Sequence, residues 1–332
     1  MIKNEDISQL KNLDYVKNEE LIWINIQNPT REKMNMIGEK FSFHELNIDD
    51  CLSKFQLPKI DKYDDHVFVI LHLPTGGKDM KVPKISQLSI FIGANYLVTA
   101  HQGDLKPLVE MFQLCHNVNN LEQRQLLMGK SSGYLLHTIL DVLVDDLLHI
   151  LMKLIGNLND IEDAVFDEKI AVAKDISILR REITTIRRVV IPLKRTIGSL
   201  TIYIQKFSEE DLTAYFDDVK DHLDKVIDAL EEAKETIEIY KDTDFMLSTE
   251  KTNKILAVLT IVFTLSIPAT IISTFYGMNI NLPGGNIDGN EIGLLGMYST
   301  LLTVIVSSIT LTLIMVFYFR KLGWLGGLSK LK

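Results

Sequence analysis

Few residues of this chain combine the types and the spacing that chemistry needs. Gly129-Lys130-Ser131 ends like a phosphate-binding loop, but Arg124 stands where that loop needs its first glycine. His44-Glu45 lacks the second histidine of a zinc-hydrolase helix. The eight histidines, spread from His44 to His222, show no ligand spacing and are expected to be structural or surface residues. Cys51 and Cys115 are too few and too scattered for a disulfide framework or a structural zinc site, so two buried thiols are expected. No catalytic constellation and no ATP site emerges, and no organic cofactor is expected. Any movement of solute would then have to run down an electrochemical gradient. What remains is a set of neutral polar groups. Thr260, Thr264, Ser266, Thr270, Ser273 and Thr274 crowd into one uncharged run, and Tyr276-Gly277-Met278-Asn279 follows it. Back-bonding to the helix accounts for about half of those hydroxyls, and Gly with Asn is a common way to end a helix.

The element that must carry these residues is a membrane helix. Residues 255–275 and 297–319 contain no charge, and each run reaches the ~20 residues that span a ~30 Å hydrocarbon layer. Lys251 and Lys254 precede the first run, while Arg320, Lys321, Lys330 and Lys332 follow the second; residues 276–296 contain no Lys or Arg. The positive-inside rule then puts both termini in the cytoplasm and the short loop outside. Tyr298, Tyr318 and Trp324 stand where interfacial aromatics belong. Pro268 falls inside the first run, where neighbouring helices and hydroxyls can satisfy the freed carbonyl.

The remainder of the 332 residues is acidic. Residues 251–332 hold six basic and two acidic residues, which leaves residues 1–250 at −13 within an overall charge of −9. That balance argues against nucleic acid as a partner. With 46% hydrophobic residues the chain is too apolar to be disordered, and its polar start lacks the apolar stretch of a secretion signal. Residues 1–132 read as a cytoplasmic α/β domain, with strands at 21–26, 66–73, 87–92 and 96–100, the last two joined by Gly93-Ala94-Asn95, and helices at 31–40, 44–54 and 105–116. Residues 133–207 read as a helical region. Its basic stretch (Arg180, Arg181, Arg187, Arg188, Lys194, Arg195), interrupted by Pro192, reads as a solvated or ion-paired face. Ser208 is the expected N-cap of a stalk helix over 208–254, and Val219, Leu223, Val226, Leu230, Ala233, Ile237 and Tyr240 form a heptad seam along it. With no Pro or Gly between Ser208 and Pro268, one helix of about 65 residues could run from the stalk through the membrane.

Tyr276-Gly277-Met278-Asn279 at the outer end of the penultimate span resembles the CorA family of magnesium transport proteins. The likeness extends through Lys251-Thr252-Asn253, Val258-Leu259-Thr260, Ile267-Pro268-Ala269-Thr270 and residues 215–222, and covers essentially the whole chain. It implies a funnel-shaped homopentamer in the plasma (inner) membrane: an N-terminal α/β domain, a long helical stalk and two C-terminal transmembrane helices. It further implies that Mg²⁺ is both the transported and the regulatory ion. The implied selectivity filter is Tyr276, Gly277, Met278 and Asn279, with Asn279 amides and Gly277 carbonyls meeting the hydrated ion. The implied pore face is Asn253, Leu256, Leu259, Phe263, Ile267, Thr270 and Thr274, and Asp242 falls on the regulatory aspartate with Asp79 as its partner acid. One departure concerns the loop over 276–296, where the family's Met-Pro-Glu is absent. Asp288 and Glu291 are candidates to attract cations there. Co²⁺, Ni²⁺ or Zn²⁺ transport is the alternative within the superfamily. A membrane-anchored helical scaffold without ion flux is the alternative from another class.

Overall fold

The computed structural model describes residues 13–53, 56–76, 83–117, 119–167, 172–278 and 299–322. The chain divides into two units, residues 1–244 and 245–332. The first unit is built on six strands: β1 (Asp14–Asn18), β2 (Leu21–Gln27), β3 (Lys59–Lys62), β4 (His66–Thr75), β5 (Lys84–Gly93) and β6 (Tyr96–His101). They form one sheet in the order β1-β2-β6-β5-β4-β3. Only β2 and β6 pair in parallel, with Ile22 opposite Tyr96; the other neighbours are antiparallel. The strands expected at 21–26, 66–73, 87–92 and 96–100 are all present, each a little longer. Gly93 belongs to β5 rather than to the turn. A Cβ there would fall 2.4 Å from the Tyr96 ring, which lies over it.

Both faces of the sheet are covered, which is why β2, β4 and β5 are buried nearly throughout. Helices α1 (Arg31–Phe41) and α2 (Glu45–Leu52) supply Met34, Ile37 and Ile48 to one core, against Ile22, Ile24, Phe68 and Phe91. Thr30 caps α1 by accepting from Lys33 N, and Ser42 ends it in the left-handed region. On the other face Trp23 meets Phe112 of α3 (Lys106–His116) edge to face at 5.0 Å. The short α4 (Leu121–Met128) leads into α5 (Ser132–Val165), capped by the Ser131 hydroxyl accepting from Tyr134 N at 3.1 Å.

Helix α6 (Ala173–Ile204) continues through Pro192 rather than stopping at it. Helix α7 runs from Thr213 to Tyr276, with Pro268 inside it. The N-cap expectation is corrected here. Helix α7 starts five residues beyond Ser208, where Asp211 Oδ1 accepts from Thr213 N at 2.9 Å. Ser208 instead accepts from Glu210 N at 3.2 Å and from the Ser131 hydroxyl at 3.0 Å, local bonds that compete with the helix. Along the first unit the heptad residues of α7 from Val219 to Ile237 are buried as expected, while Tyr240 at the end of the seam is half-buried. The second unit holds the apolar end of α7 and α8 (Ser299–Lys321), two helices long and apolar enough to cross a membrane.

Candidate functional site

The end of α7 is closed by the residues that follow it. Gly277 N donates to the Ser273 and Thr274 carbonyls at 3.0 and 3.2 Å, and Met278 N donates to the Phe275 carbonyl at 3.3 Å. These bonds satisfy carbonyls that a helix terminus otherwise leaves open. A Cβ at residue 277 would lie 3.2 Å from the Ser273 carbonyl oxygen, so a larger residue would be tight there. Tyr276 is half-buried. Asn279 lies outside the described residues, as do Asp79, Asp288 and Glu291.

The seven residues assigned to a pore face are all exposed: Asn253, Leu256, Leu259, Phe263, Ile267, Thr270 and Thr274. At 100° per residue they fall within an arc of about 120° on α7. This face therefore presents polar Asn253, then apolar Leu256, Leu259, Phe263 and Ile267, then two hydroxyls. Each hydroxyl is tied to its own helix. Thr270 Oγ1 donates to the Ser266 carbonyl at 3.0 Å, Thr274 to Thr270 at 2.7 Å, Thr264 to Thr260 at 2.6 Å and Thr260 to Leu256 at 2.8 Å.

In the first unit the structure assembles a group that sequence reasoning missed. Asp141 of α5 and Asp218 and His222 of α7 place a carboxylate or imidazole atom each within 4.8 Å of the others. The expectation that no histidine has ligand spacing is corrected: Asp218 and His222 stand four apart on α7 and share a face. Their partner Asp141 comes from a distant segment, so the i, i+4 pair was the only local signal. Burial, then the nearby Asp145 carboxylate, pushes the Asp141 carboxyl up from its ordinary value. Burial likewise pushes the adjacent His137 down. His222 Nδ1 is buried and has no hydrogen-bond partner among the described residues. A cation would relieve the crowded carboxylates, and two oxygens with one ring nitrogen are a donor set that could hold a divalent metal. Asp242, by contrast, stands exposed on α7 with the Lys241 ammonium 3.5 Å away.

The comparisons with known proteins bear on the whole of this arrangement. A model described as CorA-like Mg²⁺ transporter protein matches residues 18–321. The cobalt/magnesium transport protein CorA of Thermotoga maritima is 29% identical over 310 residues, covering 91% of this chain and 83% of the relative. The complete structure of the CorA magnesium transporter from Methanocaldococcus jannaschii superposes with a TM-score of 0.77 at 23% identity, over 94% of both chains. The full-length CmaX protein has the same fold, with a TM-score of 0.72 at 18% identity over 94% of this chain and 92% of that one. A single family model thus spans the last residue of β1 to the last of α8, and the chain belongs to the family of CorA-like Mg²⁺ transporter proteins.

Proposed function

We propose that this chain assembles as a homopentamer in the plasma membrane and conducts Mg²⁺ into the cytoplasm down its electrochemical gradient. The observation that carries the reading is the end of α7, where one exposed face passes from Asn253 through four apolar residues to two hydroxyls and stops at Gly277-Met278. Mg²⁺ dehydrates reluctantly and keeps several waters when bound. Neutral acceptors at the mouth suit it better than a carboxylate cage, and Asn279 is the residue to supply them. Leu256, Leu259, Phe263 and Ile267 form the constriction that gates by dewetting. Both termini lie in the cytoplasm, and Asp288 and Glu291 raise the cation concentration outside.

Regulation is assigned to Asp141, Asp218 and His222, whose geometry offers more ligands than the exposed Asp242. Cytosolic Mg²⁺ bound there favours the closed state by its differential affinity. The His222 nitrogen also favours a second reading, since imidazole suits Co²⁺, Ni²⁺ or Zn²⁺. Flux into liposomes carrying the purified protein decides between these ions. Mg²⁺ entry that is lost in Asn279→Ala, with expression and assembly unchanged, is the expected result. No entry of any of the four ions would leave a membrane-anchored scaffold.

A further inference from the structure

Helices α6 and α7 lie antiparallel and share a ladder of ion pairs, Arg180 with Glu238, Arg187 with Glu231 and Lys194 with Asp224. The step is seven residues on both helices. These pairs use half of the basic stretch singled out in the sequence. The other half, Arg181, Arg188 and Arg195, forms a second series one residue along, which Lys174 extends by a further step of seven; all four are exposed. None of the four enters an ion pair among the described residues. They stand on the side of α6 turned away from the buried Ile183, Ile186, Val190 and Leu193.

Helix α7 carries a counterpart. Asp221, Asp228, Glu235 and Asp242 are exposed, recur every seven residues, and face away from the buried Val219, Leu223, Val226 and Leu230. Among the described residues their only ion pair is that of Asp242 with the adjacent Lys241. Among the described residues no pair forms between the two stripes within one chain.

We infer that the basic stripe of α6 in one copy of the chain docks on the acidic stripe of α7 in a second copy. The helices run antiparallel, so that Lys174 faces Asp242, Arg181 faces Glu235, Arg188 faces Asp228 and Arg195 faces Asp221. Sign and step match at all four positions. Height along the helices matches too. Rotation about an axis parallel to α7 leaves heights unchanged, so a neighbour's α6 reaches α7 at the level of the chain's own ladder. The proposed register differs from that ladder by two residues, about 3 Å at 1.5 Å per residue, within reach of an arginine side chain. A dyad across the helices would instead make the two stripes run parallel and spoil the match. The contact is therefore head-to-tail and belongs to a closed ring. Both stripes repeat every seven residues, so they drift together around their helices as a left-handed pair coils. Exposed pairs of this kind are weak singly, and their role is to select the neighbour's orientation and register.

This seam goes beyond ion conduction and needs only that copies assemble side by side. The test uses the full chain in detergent with Arg188→Cys and Asp228→Cys, treated with a short bis-maleimide. Cys51 and Cys115 are buried and do not compete. The double variant should give a ladder of covalent multimers after denaturation, and each single variant none. Adding Arg181→Glu and Arg195→Glu should abolish the ladder, as should high salt. A monomer band alone, or a ladder indifferent to charge reversal and salt, would overturn the seam. Light scattering before cross-linking separates two failures. An oligomer without the ladder refutes this seam only, and a monomer refutes the assembly as well.

Discussion

His101 shows how little freedom a buried polar residue has in the sheet. Its Nδ1 accepts from Gly103 N at 3.0 Å, so its proton sits on Nε2, 3.2 Å from Asn25 Oδ1. Asn25 also accepts from the Thr99 hydroxyl at 2.8 Å, and Thr99 accepts from the Trp23 indole at 3.1 Å. Protonating Nδ1 would break the Gly103 bond, and burial pushes the imidazole down to about 4. Between that value and the ~6.5 of a free histidine, the unfolded chain binds more protons than the folded one. Stability is therefore highest above ~6.5 and falls with pH, by about 2 to 3 kcal/mol at pH 4.5. Urea midpoints at pH 7 and 4.5 should show this loss, and His101→Gln should reduce it. Asp141, Asp218 and His222 make a second prediction at this scale. Asp218→Asn or His222→Ala should raise the internal Mg²⁺ needed for closure about tenfold, equivalent to about 1.4 kcal/mol of site affinity. Flux measured against internal Mg²⁺ checks it, and an unchanged dose response would return regulation to Asp242.

At the scale of elements, α7 has two lives. Its first half buries a heptad seam, and its second half presents mostly exposed apolar side chains among the described residues; Phe263 is 66% exposed. Replacing that ring by glycine should wet the constriction and raise flux at high internal Mg²⁺, with about 1 kcal/mol of helix stability lost. Unaltered closed-state leak would place the gate at another level of the helix. The elements legible in the sequence were β2, β4, β5, β6, the helices α1, α2 and α3, the buried stripe of α5, and both apolar helices. The two strands that escaped, β1 and β3, are the edges of the sheet. Their sequences, DYVKN and KIDK, are polar because each pairs on one side only and turns charge to solvent. Helix α4 is short and has no side-chain cap. The helix α7 starts later than Ser208 because that hydroxyl is engaged by Ser131 and by Glu210 N, while Asp211 Oδ1 accepts from Thr213 N at the actual start. Of the candidate site, the face of α7 from Asn253 to Thr274 was named from the family resemblance, and the structure shows it exposed. The Asp141–Asp218–His222 group was not legible, because its members meet only once α5 and α7 are packed.

Across the whole molecule, charge is sorted by position along the chain. The excess of acid over base belongs to residues 1–250, and the residues that follow are weakly basic. A dication moving inward across 100 mV gains about 4.6 kcal/mol, enough to drive uptake without ATP. Liposome uptake should thus rise with an inside-negative potential, collapse when an ionophore abolishes it, and ignore added nucleotide. Uptake that persists without any gradient would contradict a passive pore.

The threonine hydroxyls of α7 carry one more consequence. A carbonyl oxygen has no proton to give, so every Oγ that bonds one has committed its own hydrogen inward. What Thr270 and Thr274 turn outward is a pair of bare lone pairs. A chloride ion passing that face would find no O–H to greet it, whereas the water shell of a metal ion, with its hydrogens pointing outward, would find a ready acceptor at each turn. In the pore proposed above, the backbone of the helix would in this way favour hydrated cations over anions at Thr270 and Thr274, without a single carboxylate.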